Sequence, residues 1–161
     1  MSAANRRSRV LLRDPAGWIA TGFGSGLAPR APGTVGTLAA LLPWLALREL
    51  PLWGYLVAVL AAFALGVWAA QQVIERLRIE DPGLVVWDEF VGLWIALIAV
   101  PDGWAWVVIG FGLFRLFDIA KPWPVSWADA RLKGGFGAMF DDALAGLYAL
   151  AALQALAWWW R

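Results

Sequence analysis

The sequence predicts an all-α fold, a multi-pass bundle of membrane helices with about five apolar segments. Three observations carry this expectation. Apolar residues make up 61% of the 161-residue chain, well above the roughly 45–50% of soluble globular domains, and the mean hydropathy is +0.65. Uncharged runs recur along the chain, and two of them, residues 51–74 and 143–160, have spanning length by the rule of about 20 apolar residues. Thirteen tryptophans suit a protein with two membrane–water interfaces. The length allows one domain, 1–161, and not comfortably two.

Each element follows in order. Residues 1–14 form a basic tail with Arg6, Arg7, Arg9 and Arg13. No apolar stretch with a cleavage site follows it directly, so it is not read as a signal peptide. A glycine-rich loop, TGFGSGLAPRAPGTVGT at 21–37, leads into the first apolar run at 31–47, and the second covers 51–74. The third and fourth, 90–101 and 103–114, are too short to span. They reach spanning length if helices extend over 84–100 and 104–120, joined by the turn Pro101-Asp102-Gly103. Such a hairpin brings Asp88, Glu89 and Arg115 to one depth, each roughly 20 Å from the turn. Next, Lys121-Pro122-Trp123-Pro124 ends a helix, because proline cannot continue the hydrogen-bond ladder. Ser126 with Asp129 three residues on predicts a capping box opening a short surface helix, SWADARLK, anchored by Trp123 and Trp127. The last run, 143–160, opens on Asp141 and Asp142.

Lys and Arg set the expected orientation. Five arginines precede the first run, Arg76 and Arg78 follow the second, and Arg115, Lys121, Arg131 and Lys133 precede the last; the opposite loops carry only Arg48. The positive-inside rule therefore puts the N-terminus, the acids and the active site at the cytoplasmic face, with five crossings leaving Arg161 outside.

What is missing narrows the chemistry. Without cysteine or histidine, thiolate nucleophiles, disulfides and every imidazole-based mechanism are excluded. A net charge of +1 argues against nucleic acid as a partner. The candidates that remain are Asp88, Glu89, Asp118, Asp141 and Asp142. Taken singly, acids at helix openings complement the macrodipole. Taken together, five carboxylates at one depth repel each other unless cations sit among them, and an all-oxygen site points to Mg²⁺ before Zn²⁺. Arg115 can neutralise one acid, Asp118 at i+3 being within its reach. Glycines at 24, 26 and 33, and a second group beginning Gly134-Gly135, permit tight turns whose amides can hold an anion. Arg115, Lys121 and Lys133 can add phosphate contacts. These parts suit phosphoryl chemistry on a lipid headgroup.

Four stretches, GFGSGLAPRAPGTVG, DPGLVVWDEFVG, FRLFDIAKPWPV and GGFGAMFDDALAG, in this order and spacing, resemble the phosphatidylglycerophosphatase A family from Gly22 to Gly146. The resemblance implies a Mg²⁺-dependent phosphoric monoester hydrolase of the bacterial inner membrane. Its substrate would be the phospholipid phosphatidylglycerophosphate, cleaved to phosphatidylglycerol and phosphate. It implies Asp88, Glu89, Asp118, Asp141 and Asp142 as catalytic and metal-binding acids. Arg115 and Lys121, with Gly24, Gly26, Gly33 and Gly135, are the expected phosphate contacts. Arg30 departs from the family pattern, and no role is carried to it. Water attack and an aspartyl-phosphate intermediate both remain open. Oligomeric state is not legible.

Two other functions compete. A CDP-alcohol phosphotransferase needs an Asp-Gly-x-x-Ala-Arg run, and only Asp129-Ala130-Arg131 occurs here. A cation carrier would use intramembrane acids as an ion path.

Overall fold

The computed structural model describes residues 11–160, so the tail arginines 6, 7 and 9, and Arg161, lie outside the described residues. Within them the chain is all-helical: α1 (Pro15–Ala20), a 3₁₀ turn (Ser25–Leu27), α2 (Pro32–Leu47), α3 (Leu52–Leu77), α4 (Trp87–Ala96), α5 (Trp104–Ala120), α6 (Val125–Arg131) and α7 (Gly134–Trp159). Asp14, at the end of the expected tail, is bonded into the fold. Its Oδ2 caps α1 by accepting from the Gly17 amide at 3.2 Å, and it pairs with Arg76 at the end of α3.

The Ala- and Leu-rich α7 is the axis of the bundle. Helices α3, α4, α5 and α6 all pack on it, while α2 covers α4 and α1 covers α3. Enclosed this way, α4 is buried on nearly all sides, from Trp87 and Phe90 through Ala96. Three side-chain hydrogen bonds pin it. Trp87 Nε1 donates to the Ala62 carbonyl at 2.9 Å, Trp94 Nε1 to the Ala40 carbonyl at 2.9 Å, and Tyr55 Oη to the Trp94 carbonyl at 2.6 Å. Trp44, Trp87 and Trp94 are thus core residues, not interface residues, and the buried indoles of Trp87 and Trp94 reach carbonyl partners.

Three expectations are corrected. The helix expected over 84–100 is ten residues long: Ala99 takes a left-handed backbone with φ of 51°, and Pro101 disfavours helix at Val100. At roughly 15 Å it cannot cross a hydrocarbon core of about 30 Å alone. Of the five expected spans, two helices, Leu52–Leu77 and Gly134–Trp159, are long and apolar enough to cross a membrane, and Pro32–Leu47 is a shorter apolar helix. Second, α7 starts nine residues before the apolar run does, so Asp141 and Asp142 lie two turns inside it. Third, no side chain caps α6, whose N-cap position is Pro124; Asp129 instead bonds Lys121.

Glycines let the helices touch. A Cβ on Gly146 would come within 2.4 Å of the Gly92 carbonyl oxygen, and one on Gly92 within 2.5 Å of the Phe114 ring. This crossing seats α4 against α7 one turn from the acids of both, and so fixes the geometry described next.

Candidate active site

Three helix segments meet at one end of the bundle. The first turn of α4 supplies Asp88 and Glu89, the third turn of α7 supplies Asp141 and Asp142, and the last two turns of α5 supply Arg115 and Asp118. Lys121 follows as the C-cap of α5, in a left-handed conformation with φ of 43° that ends the helix and turns the chain toward Pro122. The depth expected for Arg115 is observed: its Nη1 lies 3.6 Å from Glu89 Oε1 and 2.6 Å from Asp118 Oδ2.

The five acids divide into two kinds. One carboxylate oxygen each from Asp88, Glu89 and Asp142 gather within 4.8 Å of one another. Asp118 and Asp141 are held by close cations, Asp118 by Arg115 and Asp141 by Lys121 Nζ at 2.9 Å, whereas Glu89 alone of the trio faces one, Arg115, at the longer 3.6 Å. Lys121 also binds Asp129 Oδ1 at 2.6 Å. Burial pushes the Lys121 ammonium toward neutrality, but its pairs with Asp129 and Asp141 outweigh this and hold its pKa above the ordinary lysine range. The pairs thus favour the charged ammonium. All five acids and Lys121 line one cavity of about 510 Å³.

Within the trio, Glu89 Oε2 and Asp142 Oδ2 are buried without a hydrogen-bond partner. Buried carboxylate oxygens left unpaired are costly. A trio of carboxylates, two of them with an unspent buried oxygen, and no nitrogen or sulfur donor fits a hard, oxygen-seeking cation such as Mg²⁺. The helix-macrodipole explanation does not extend to α7, because Asp142 lies about 12 Å from the start of that helix and the effect fades within the first turn.

With this geometry in view, comparison with known proteins is decisive. The family profile of Phosphatidylglycerophosphatase A matches residues 18–157. The chain belongs to the phosphatidylglycerophosphatase A family. It is 41% identical to Phosphatidylglycerophosphatase A of Escherichia coli, over 96% of this chain and 90% of the relative. It is 40% identical to the Haemophilus influenzae protein of the same name, over 99% of each. A Bacteroides thetaiotaomicron protein, provisionally named a phosphatidylinositol-3-phosphatase, is 47% identical over 87% of this chain and 92% of its own. No solved structure matches the chain.

In this member of the phosphatidylglycerophosphatase A family the four expected phosphate-binding glycines do not line the cavity. They sit where another atom leaves no room for a side chain, or where the backbone turns. A Cβ would reach 2.1 Å from the Leu84 carbonyl oxygen at Gly26, from Glu89 Oε1 at Gly33, and from the Val67 carbonyl oxygen at Gly135. The Gly135 amide is already spent on Gln71 Oε1 at 2.8 Å, and Gly24 adopts φ of 91° at the head of the 3₁₀ turn. Arg115 stands behind Glu89, outside the cavity lining, and Arg30 is exposed and also absent from it. Gly134, Gly137 and Asp129 do line it. Asp129 was legible as a residue facing Lys121 only once the Pro122–Pro124 turn had folded α6 back; the spacing Ser126-x-x-Asp129 pointed elsewhere.

Proposed function

We propose that this protein is a membrane-embedded, Mg²⁺-dependent lipid phosphatase that hydrolyses phosphatidylglycerophosphate to phosphatidylglycerol and phosphate. The observation that carries this reading is the Asp88, Glu89 and Asp142 trio, with two orphaned oxygens, in a chain whose relatives bear that activity in their names.

Membrane insertion is supported by how the aromatic residues divide. Exposed Trp53, Trp104 and Trp158 to Trp160 belong to the end of the bundle where α3 and α5 begin and α7 stops. Exposed Trp18, Trp123 and Trp127 belong to the acidic end. Between them the surface carries Leu42, Leu60 and Val108 at 67–72% exposure, a pattern that water would penalise and lipid would not. The acidic end also holds Arg76, Arg78, Arg115, Lys121, Arg131 and Lys133 against Arg48 at the other, which favours a cytoplasmic active site in a multi-pass inner-membrane protein.

Asp88, Glu89 and Asp142 would hold the ion. When bound, Mg²⁺ supplies charge neutralisation and polarises phosphoryl oxygens. Lys121, kept protonated between Asp129 and Asp141, offers its remaining donor to a phosphate oxygen in the same cavity. Arg115 holds Glu89 and Asp118 in place from behind, so the trio stays oriented without filling the cavity. The buried walls of α4 and α7 keep bulk water to the open side, where phosphate leaves. A cation carrier would need acids along the length of the bundle, whereas the described acids within it gather at one end. Phosphate release by purified protein tests the reading, with phosphatidylinositol 3-phosphate offered in parallel. Preferential hydrolysis of phosphatidylglycerophosphate is expected; preference for the inositol lipid would reassign the substrate.

A further inference from the structure

The proposed substrate carries two phosphates, and the trio accounts for one. The terminal monoester is cleaved; a phosphodiester links the headgroup to diacylglycerol. The cavity that would admit both is lined by eight acids, Glu80 and Asp81 among them, and by two described cations, Lys121 and Lys133. An anionic diester needs one of the two.

Lys121 is committed. Its ammonium makes contacts of 2.6 and 2.9 Å with Asp129 and Asp141, and its one remaining donor is the one given above to the monoester. Lys133 differs on each count. It lies at the mouth, its side chain is 61% exposed, and its partner Glu80 stands 3.6 Å away with a side chain 79% exposed. Exposed pairs of this kind contribute little and exchange readily, so an incoming anion can take the place of Glu80 at small cost. The positive end of α7, which begins at the next residue, adds to the same potential. Lys133 also precedes Asp142 by about 13 Å of helix rise. A lysine side chain and a glycerol phosphate headgroup turned down into the cavity together cover that span.

We propose that Lys133 is a specificity-determining residue that binds the substrate phosphodiester at the cavity mouth by exchanging its pairing with Glu80. This rests on the lipid phosphatase reading and names how that site tells a headgroup monoester borne on a diester from a bare phosphate.

The two reaction products probe the two subsites separately. Phosphatidylglycerol carries only the diester, and inorganic phosphate fits only the monoester position. Inhibition of phosphatidylglycerophosphate hydrolysis by each is measured in mixed micelles for the unmodified protein, Lys133→Ala, Lys133→Arg and Glu80→Gln. Lys133→Ala is expected to weaken phosphatidylglycerol about tenfold while phosphate inhibition stays within about twofold. Lys133→Arg should restore most of the difference, and Glu80→Gln should tighten phosphatidylglycerol by freeing Lys133. Equal shifts for both inhibitors, or none for phosphatidylglycerol, overturn the assignment while leaving the phosphatase reading intact. No hydrolysis by the unmodified protein overturns both.

Discussion

Gly33, in the first turn of α2, lies so close to Glu89 of α4 that a Cβ there would stand 2.1 Å from Glu89 Oε1 and 3.3 Å from Arg115 Nη1. The glycine leaves room for the carboxylate and does not itself reach the cavity. Gly33→Ala should therefore push Glu89 off the trio while α2 itself stays helical, since alanine suits a helix better than glycine. Turnover is expected to fall about tenfold or more, with the thermal midpoint in detergent nearly unchanged. A normal rate would show that Glu89 can move without consequence.

The α4–α7 crossing is a packing constraint. Gly146→Ala would set a methyl 2.4 Å from the Gly92 carbonyl oxygen, and overpacking of this kind costs about 1–3 kcal/mol. Gly112→Ala has nothing within 4 Å of its new Cβ and should be neutral or mildly stabilising. Thermal unfolding of the two variants side by side checks the contrast; equal midpoints would remove the crossing from the account of the fold.

Lys121 gives a pH expectation. Its folded pKa is raised above the ordinary lysine value of 10.5 by Asp129 and Asp141, against the opposing effect of burial. Its pairing therefore stabilises fully below that unfolded value and is lost only as pH rises through the folded one. Across about pH 6 to 9 the stability deficit of Lys121→Met should be constant. A deficit that vanishes toward the alkaline end of that window would mean the ammonium is not held as described.

Topology is open to direct test. Reporter fusions should place residues 121–133 in the cytoplasm and the Asp102 turn on the other side, as the Lys and Arg asymmetry requires. Both on one side would remove the bundle from the transverse position.

The sequence carried the helical class and the depth shared by Glu89 and Arg115, because both follow from helical rise on either side of one turn. It did not carry the end of α4, which depends on a left-handed backbone at Ala99. It also hid the start of α7, because Gly134, Gly135 and Gly137 read as a loop, whereas their missing side chains are what allow α7 to lie against Val67, Gln71 and Leu132. The split among the acids was hidden for a different reason: which carboxylates a cation neutralises depends on side-chain reach across helices, and Asp129 comes to Lys121 through a turn no periodicity reports.

In the proposed mechanism Asp88, Glu89 and Asp142 together hold the ion that phosphate release requires. A Mg²⁺ titration of phosphate release from phosphatidylglycerophosphate, by the purified protein and by Asp142→Asn at equal concentration after exhaustive chelation, tests it most directly. No release is expected in EDTA, full recovery on adding Mg²⁺, and for Asp142→Asn a rate lower by about 10²-fold, or ~2.7 kcal/mol, with a Mg²⁺ requirement shifted upward. Undiminished release in the chelated protein, or an Asp142→Asn variant with the unmodified rate and the same Mg²⁺ dependence, would contradict it.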